Sequence, residues 1–399
     1  MSGLISVAEA DRLIAEFGDQ SPVISSPLGK AAGRVLRENI YADRPLPPFN
    51  RVMMDGYALR YADIEHGCGE FKVCGQLMAG DCKCALPEET AAAIEIMTGA
   101  PLPEGADVVV PYEETIRESE AFTLAKDANV EPGQYIHREG SDFAAQSLLV
   151  PAGASLGPVE MGVAASCGYT ELKVSSRPRI AVIGTGDELV PVSTTPLPHQ
   201  IRSSNAVTVE SALGLADYHV GEIDHWCDDA ELGKARMIEL LGRTDVMIIA
   251  GAVSKGQRDW IPGALDEVAQ CIFHGVRQRP GKPMGLWRTG EGKMIFALPG
   301  NPVSAMVGLH RYVLPYLCAR DGFASSTQSV CLAEDIASKS PMTWFLPVEI
   351  LDDGTAAPRP VNNSGDYARL CGTDGFIELS AEASQWKAGI SVPFYNWSK

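Results

Sequence analysis

Arg279-Pro280-Gly281-Lys282-Pro283 is a basic, glycine-containing turn, and the apolar segment after it ends in Leu298-Pro299-Gly300-Asn301-Pro302-Val303-Ser304-Ala305. Residues 295–298 have the composition of a strand, Gly300 permits a tight turn, and Asn301 and Pro302 suit the start of a helix. A helix that begins at the end of a strand presents unpaired N–H groups and a partial positive charge. The sequence therefore predicts an anion cradle, in which Arg279 and Lys282 are candidate cations.

The segment that contains this turn alternates apolar runs with helical stretches. The apolar runs cover residues 180–183, 246–250 and 294–298, and the helical stretches cover 206–213, 230–241 and 261–268. This alternation is typical of a parallel sheet covered by helices on both faces. Open parallel sheets bind ligands at the carboxyl ends of their strands, so the polar residues after each run are candidates for a site.

Two polar clusters follow the first two apolar runs. Gly184-Thr185-Gly186-Asp187-Glu188 sets two adjacent carboxylates beside a flexible backbone, and Mg²⁺ prefers such oxygen ligands together with substrate phosphates. Gly251-Ala252-Val253-Ser254-Lys255-Gly256 has small residues that admit a flat ligand, with Lys255 and Asp259 at its edge. Taken singly, each cluster also fits a plain surface turn, as the basic pair fits a solvent-facing surface. Because all of these clusters are expected at one edge of the predicted sheet, we favour a ligand site there.

Composition limits the class of protein. The 399 residues are 45% hydrophobic and 21% charged, which describes a soluble globular chain of about two to four domains. A formal charge of −18 argues against binding to nucleic acid or to an anionic membrane, because both need a basic surface. The longest apolar stretch, 148–165, contains Pro151 and Pro158, so we expect no membrane span.

The cysteines and the N-terminus point to a cytoplasmic protein. The 10 cysteines are scattered and include no Cys-x-x-Cys pair, which indicates reduced thiols, and Cys82-Lys83-Cys84 has poor spacing for a metal site. The N-terminus shows no basic segment followed by an apolar core, so we expect no signal sequence there. Ser6 and Glu9 instead form the capping-box pattern of an amphipathic helix that we expect to stop at Gly18.

The remaining segments predict further modules. The proline-rich stretch 43–48 suits an extended crossing between modules, and 57–136 has the short alternating runs of a small β-rich unit. Beyond Arg320 helical periodicity disappears. Four strand-like segments follow in a final β module: 330–333, 344–350, 375–379 and 390–394.

Motifs spread over nearly the whole chain carry a resemblance to a known family. The sequence resembles the molybdopterin molybdenumtransferases (molybdenum insertases), a family that includes the E domain of gephyrin. The matching motifs occur in the family's order and are Met54-Asp55-Gly56-Tyr57, Ile96-Met97-Thr98-Gly99-Ala100-Pro101, Arg138-Glu139-Gly140, Thr185-Gly186-Asp187-Glu188-Leu189, Ser204-Asn205, Pro280-Gly281-Lys282-Pro283 and Leu298-Pro299-Gly300-Asn301-Pro302-Val303-Ser304.

The resemblance implies a multidomain α/β and β protein that forms an elongated homodimer. With boundaries set on this sequence, residues 1–48 plus 138–176 form a discontinuous elongated linker and dimerisation domain, and 49–137 form a small β-rich domain. Residues 177–322 form an α/β molybdopterin-binding domain with a parallel-rich sheet, and 323–399 form a C-terminal β-barrel-like domain.

The implied reaction converts adenylyl-molybdopterin and molybdate, with Mg²⁺, into molybdenum cofactor and AMP. Transient contacts with a molybdopterin adenylyltransferase or with apo-molybdoenzymes are implied as well. Under this hypothesis Asp187 and Glu188 hold Mg²⁺ against the pyrophosphate, and Arg279 and Lys282 relieve the repulsion between the pyrophosphate and the molybdate dianion.

The resemblance also assigns the other candidate residues. The implied catalytic groups are Asp55, Thr98, Asp187, Glu188 and Asp259, of which Asp55 and Thr98 would face the α/β cleft of the other subunit. The implied substrate-binding residues are Gly184, Thr185, Gly251, Ser254, Lys255, Arg279, Lys282, Pro299, Asn301, Ser304, Arg359 and Ser364. Alone, Asp55 fits a turn residue and Thr98 a strand-end hydroxyl.

Several residues depart from the common family pattern. Ala252 stands where many members have glycine. Lys255 and the run Gln257-Arg258-Asp259-Trp260 replace more usual apolar, acidic and aromatic residues, and Lys255 and Arg258 add positive charge beside the predicted pocket. Two alternatives therefore stay open beside molybdate insertion. One is a binding protein or carrier paralogue for molybdopterin or the finished cofactor, and the other is a nucleotide pyrophosphate hydrolase.

Overall fold

The computed structural model describes residues 3–18, 21–251, 253, 260–323 and 327–398. The chain folds into two compact units. The larger takes in residues 1–25, 33–35 and 173–399, and the smaller takes in 26–32 and 36–172. The finer division into four domains stays a prediction, whereas the multidomain α/β and β fold class is confirmed.

A six-stranded sheet organises the larger unit, and we number its strands in chain order. They are β1 (Ile180–Thr185), β2 (Val220–Trp226), β3 (Val246–Ala250), β4 (Gln270–His274), β5 (Gly285–Arg288) and β6 (Met294–Leu298). Their spatial order is β2-β1-β3-β6-β5-β4. Strands β2, β1, β3 and β6 run parallel, and β5 and β4 pair antiparallel.

The predicted strands and helices of this segment are confirmed, but the sheet is mixed. Strand β5 turns directly into β6 through a tight connection in which Thr289 N donates to Lys293 O. So short a connection joins only antiparallel strands, since a parallel pair needs a long crossover. The sequence analysis missed three strands: β2, which lies at one edge of the sheet, and β5 and β4, which lie at the other.

Helices cover both faces of the sheet. They are Ser204–Leu215, Ala230–Leu241, Ile261–Val268 and Pro302–Gly308, the last continuing through a π-helical turn, Leu309–Val313, into Leu314–Asp321. Alternate strand residues serve opposite faces: Ile248 joins one apolar cluster and Ile249 the other. Because both faces are buried, the strands are continuously apolar.

The register brings three strand ends into one row. Gly184 pairs with Ala250, and Ala250 pairs with Leu298. Gly251 N donates to Leu298 O at 3.0 Å, which extends the row by one residue. The loops after β1, β3 and β6 therefore leave the sheet side by side.

The rest of the larger unit comprises an N-terminal helix and a second sheet. In helix Val7–Ala15 the predicted cap is confirmed, since Ser6 Oγ accepts from Glu9 N at 3.1 Å. The second sheet has the order Gln278–Arg279, Thr343–Ile350, Gly375–Leu379, Ser391–Asn396, Gln328–Cys331, with Ala356–Pro358 paired to Thr343–Ile350. Short strand pairs add Leu189–Val190 with Ile201–Arg202 and Ile336–Ala337 with Gln385–Trp386.

Two features of this second sheet were not predicted. Residues Gln278–Arg279 form its edge strand, parallel to Thr343–Ile350, so Arg279 belongs to the C-terminal sheet. A 3₁₀ helix at Tyr367–Gly372 lies where no helical periodicity was found, because six residues are too few to show a period.

The smaller unit also contains a six-stranded sheet. Its order is Val108–Pro111, Gly56–Leu59, Ala92–Ile96, Glu70–Leu77, Ala121–Leu124, Thr115–Glu118. Strand pairs Ile40–Tyr41 with Leu148–Val150 and Arg51–Val52 with Ile136–His137, helices Tyr61–Glu65 and Pro158–Ser166, and 3₁₀ turns Leu28–Lys30 and Tyr112–Glu114 complete it. Strands Val23–Pro27 and Glu171–Ser175 lie where the chain passes from one unit to the other.

None of the helices in the described ranges combines the length and apolar composition that crossing a membrane requires.

Candidate functional site

A cavity of about 520 Å³ lies at the row of strand ends in the larger unit. Six predicted site residues line it: Gly184, Thr185, Glu188, Gly251, Pro299 and Asn301. Leu189, Ile201, Arg202, Ser203, Ser204, Asn205, Ala250, Val253, Pro283, Gly300, Pro302 and Gly365 line it as well. A volume of this size accommodates a small-molecule ligand of nucleotide dimensions.

Glycines form the floor of this cavity because the backbone segments there approach closely. Gly251 has a φ of +123°, and a Cβ on it would lie 2.5 Å from Thr185 Oγ1. A Cβ on Gly300 would lie 3.4 Å from the Cα of Gly251. Only glycine fits at 251 without displacing its neighbours. Thr185 is itself buried, and its Oγ1 has no hydrogen-bond partner among the described residues.

The end of strand β2 fixes the loop that carries the acidic pair. Gly186 N donates to Trp226 O at 3.1 Å, and His225 Nε2 donates to Gly186 O at 2.9 Å. Asp228 N donates to Asp187 Oδ1 at 2.9 Å. These contacts hold the loop, in which Glu188 lines the cavity and Asp187 is exposed without lining it.

The acidic loop presents oxygen ligands of the kind that Mg²⁺ prefers. The Asp187 and Glu188 carboxylates are accessible from solvent, and the orphaned Thr185 hydroxyl is a neighbouring oxygen donor. Nowhere in the described ranges do three or more His, Cys, Asp or Glu side chains converge on one metal position. Mg²⁺ is suited to such a site, because it is usually held by one or two carboxylates together with substrate phosphates and water.

A small parallel ladder builds the wall opposite the strand ends. Ile201 N donates to Glu188 O at 2.8 Å, and Ser203 N donates to Val190 O at 2.9 Å. The ladder pairs Arg202 with Val190, and Arg202 lines the cavity, as Glu188 does. Sequence reasoning missed Arg202 as a site residue. The available signal was the adjoining Ser204-Asn205 motif, whose Asn205 Nδ2 donates to Gly300 O at 2.7 Å.

Arg279 lines a second, smaller cavity of about 140 Å³. Its guanidinium stacks 4.0 Å above the Trp344 ring, and its Nη2 donates to Ser338 Oγ at 2.8 Å. The Nε is buried without a partner in the described ranges, and burial lowers the pKa of Arg279. Within the described part of the chain Arg279 has no carboxylate partner, so its charge is not neutralised locally.

Ser364 connects the two cavities through hydrogen bonds. Its Oγ accepts from Asn301 Nδ2 at 2.8 Å, and its carbonyl accepts from Val303 N at 3.0 Å. Ser364 lines the smaller cavity together with Arg279, and the next residue, Gly365, lines the larger one. Asn301 occupies the predicted N-cap position, but its side chain makes this contact instead of capping the helix.

Three other predicted residues line neither cavity. Lys282 is exposed, although its neighbour Pro283 contacts the larger cavity. Ser304 is buried in the first turn of helix Pro302–Gly308. Arg359 forms an ion pair with Glu349, with Nη2 2.6 Å from Oε2.

Asp55 and Thr98 form a compact pair in the smaller unit. Asp55 Oδ1 accepts from both Thr98 N and Thr98 Oγ1, each at 2.7 Å. These two hydrogen bonds, the backbone one first, hold the pKa of Asp55 below its usual value. Gly56 is required beside it, because a Cβ there would lie 2.0 Å from Val110 O. The pair is thus a fixed, exposed carboxylate.

The predicted residues Ser254, Lys255 and Asp259 lie outside the described residues, as do the departures at Ala252, Gln257 and Arg258.

Two family models match the chain, one in each half. Residues 5–168 match the MoeA N-terminal region (domain I and II), and residues 181–319 match a probable molybdopterin binding domain. The second match begins at the second residue of β1 and contains the rest of the sheet and most of the lining of the larger cavity.

Similarity to individual proteins extends over the full chain. The chain is 35% identical to a molybdopterin molybdenumtransferase from Synechocystis sp., across 99% of this chain and 100% of that protein. It is 30% identical to the protein of that name from Staphylococcus aureus, across 97% of this chain and 94% of the relative. A crystal structure of the molybdopterin biosynthesis MoeA protein from Pyrococcus horikoshii superposes with a TM-score of 0.82 at 28% identity, covering 99% of both chains.

Proposed function

This chain belongs to the molybdopterin molybdenumtransferase family, and from that premise we propose that it inserts molybdate into adenylyl-molybdopterin with Mg²⁺-dependent release of AMP. As a transferase it acts in molybdenum cofactor biosynthesis. The observation that carries the finer proposal is the 520 Å³ cavity, in which a glycine floor meets an acidic loop at the ends of three parallel strands.

The glycine floor lets a flat, phosphorylated ligand approach the backbone. Gly251 and Gly300 offer no side chain there, so pterin or nucleotide rings and phosphates meet main-chain atoms. Cleavage of the phosphoanhydride, in which an oxygen of water or of molybdate replaces the bridging oxygen at one phosphorus, separates AMP from the pterin phosphate. The negative charge on this bridge has to be offset for AMP to leave.

Asp187 and Glu188 would hold Mg²⁺, with Thr185 Oγ1 as a nearby oxygen. When bound, Mg²⁺ supplies the charge neutralisation that the pyrophosphate needs. The chain's own part is to keep the acidic loop in place: His225, Trp226 and Asp228 hold Gly186 and Asp187 by hydrogen bonds.

Molybdate, the second substrate, would enter the smaller cavity beside Arg279 and Ser364. A guanidinium without a carboxylate partner attracts a dianion, and the Ser364 hydroxyl can donate to an oxyanion. This supports Arg279 over Arg359 as the accompanying cation, since Arg359 is already paired with Glu349. Lys282 is exposed nearby in sequence and would add long-range attraction.

Asp55 and Thr98 would complete the site from the second subunit of a homodimer. The fixed, exposed Asp55 carboxylate supports this role, because it is ready to contact a ligand without rearranging. Transient contacts with an adenylyltransferase or an apo-molybdoenzyme would deliver the substrate and receive the product.

A turnover assay with adenylyl-molybdopterin, Mg²⁺ and molybdate tests the proposal. AMP release that depends on molybdate supports insertion. Molybdate-independent AMP release would instead identify a pyrophosphate hydrolase, and binding without turnover would identify a carrier.

A further inference from the structure

One cationic side chain lines the larger cavity. Among the described residues that line this cavity, Arg202 is the single lysine or arginine and Glu188 the single carboxylate. The chain carries a formal charge of −18, so long-range electrostatics oppose an anionic ligand. A polyanion that enters the cavity therefore depends on local positive charge, and Arg202 supplies it.

The backbone fixes where Arg202 stands. Strand Ile201–Arg202 is held to Leu189–Val190, and Ile201 N donates to the carbonyl of Glu188. Glu188 and Arg202 therefore belong to two segments that are hydrogen-bonded to each other. Among the described residues no ion pair joins the Arg202 and Glu188 side chains, so each remains available to a ligand.

The guanidinium is oriented by one of its five donors. Arg202 Nε donates to Val192 O at 3.0 Å, which fixes the plane of the group. Over the described ranges its Nη1 and Nη2 atoms make no hydrogen bond or ion pair. Arginine presents such paired donors in a rigid fork that matches phosphate oxygens, which a lysine ammonium does not.

We propose that Arg202 binds the diphosphate bridge of adenylyl-molybdopterin and thereby selects this substrate over molybdopterin, which carries a single phosphate. The inference rests on the proposed function, and it assigns substrate selection to Arg202 in the ladder wall rather than to Arg279 or Lys282. The cavity volume of about 520 Å³ suits a ligand of nucleotide dimensions, whereas the Arg279 cavity of about 140 Å³ suits a small ion. In a diphosphate, the two Nη groups of the fork can bind oxygens on two different phosphorus atoms. A monophosphate has one phosphorus atom and cannot offer this arrangement.

The test measures dissociation constants of adenylyl-molybdopterin and of molybdopterin by pterin fluorescence, without molybdate. Arg202→Gln should weaken adenylyl-molybdopterin binding by about tenfold and molybdopterin binding by less than about threefold. Arg202→Lys keeps the charge without the fork and should fall between the parent and Arg202→Gln. Arg243→Gln is the matched control: it removes the same charge from an exposed residue of the same unit that lines neither cavity, and it should leave both constants within about twofold.

Two results would overturn the inference. The first is an equal loss of affinity for both ligands in Arg202→Gln with an unchanged melting temperature, since that would mean that Arg202 attracts any anion. The second is unchanged affinity for both ligands. These outcomes are separate from the turnover assay, because a parent protein that binds adenylyl-molybdopterin through Arg202 but makes no cofactor refutes only the proposed insertion. A parent that does not bind adenylyl-molybdopterin refutes both.

Discussion

The two cavities of the larger unit are built from different parts of the chain. Glycine, proline and alanine form much of the wall of the 520 Å³ cavity, where backbone segments approach one another. Large side chains form the 140 Å³ cavity, where Arg279 stacks on Trp344. A wall of backbone atoms lets a large flat ligand approach closely. A wall of side chains presents a small ion with a charge in a fixed position.

The largest effect is expected where the backbone wall cannot accept a side chain. Gly251→Ala places a methyl group against Thr185 at a positive φ, so it should reduce adenylyl-molybdopterin turnover by about a hundredfold or more and destabilise the fold by about 1–3 kcal/mol. Turnover and thermal unfolding measure the two effects.

Gly263→Ala is the control for this substitution. Gly263 lies inside helix Ile261–Val268, and a Cβ added there would meet nothing within 4 Å, so alanine should raise stability by about 0.5–1 kcal/mol and leave turnover unchanged. A Gly251→Ala protein with parental turnover would show that the floor tolerates side chains.

The acidic loop should affect chemistry more than binding. Asp187→Asn and Glu188→Gln each remove a charge that would hold Mg²⁺, so each should slow AMP release by about a hundredfold while pterin affinity changes by less than about threefold. Asp352→Asn, in an exposed turn, is the charge-matched control. Loss of binding and turnover in equal measure would mean that these carboxylates shape the pocket instead.

The side-chain cavity can be tested by the molybdate dependence of turnover. Arg279→Gln should raise the molybdate concentration for half-maximal turnover by about tenfold, because it removes the charge that faces the cavity. Lys282→Gln should raise it less, since Lys282 is exposed and screened by solvent. Tungstate should compete better than sulfate.

Arg359→Gln separates the two candidate arginines. Its charge is already paired with Glu349, so we expect a change of less than about twofold in the molybdate dependence. A larger effect for Arg359→Gln than for Arg279→Gln would move the oxyanion site away from the smaller cavity.

Another effect of about twofold, measured against the parent protein, concerns completion of the backbone-walled cavity by a second subunit. Co-expression of Asp55→Ala and Asp187→Ala chains should recover up to about half of the parental turnover per heterodimer, because one composite site keeps every group. The control is co-expression of Asp55→Ala and Thr98→Val chains. Both changes lie in the smaller unit, so each of the two shared sites receives one damaged residue. Recovery in the control pair, or none in verified test heterodimers, would contradict shared sites.

Sequence periodicity predicted strands β1, β3 and β6 because both faces of the sheet are buried there. Strand Val246–Ala250 and helix Ala230–Leu241 were predicted with their observed bounds, since a continuous apolar run and an amphipathic stretch are strong signals. The residues after β1, β3 and β6 were expected together, and the register brings them together.

Contacts between distant segments could not be predicted in this way. Strand Gln278–Arg279 has two residues, and only its pairing with Thr343–Ile350 places Arg279 over Trp344. Arg202 lies on an equally short strand, and no period marks it. Such positions depend on tertiary pairing, which local composition does not encode.

The hydrogen bond from Asn301 to Ser364 joins a residue that lines the larger cavity to one that lines the smaller cavity. An oxyanion that accepts from the Ser364 hydroxyl leaves Asn301 donating to the same oxygen, and it polarises that contact. If molybdate in the smaller cavity changes the affinity of the larger cavity for its ligand by some factor, that ligand must change the affinity for molybdate by the same factor. The order in which the two substrates load would then follow from their concentrations, and their binding would be coupled in both directions.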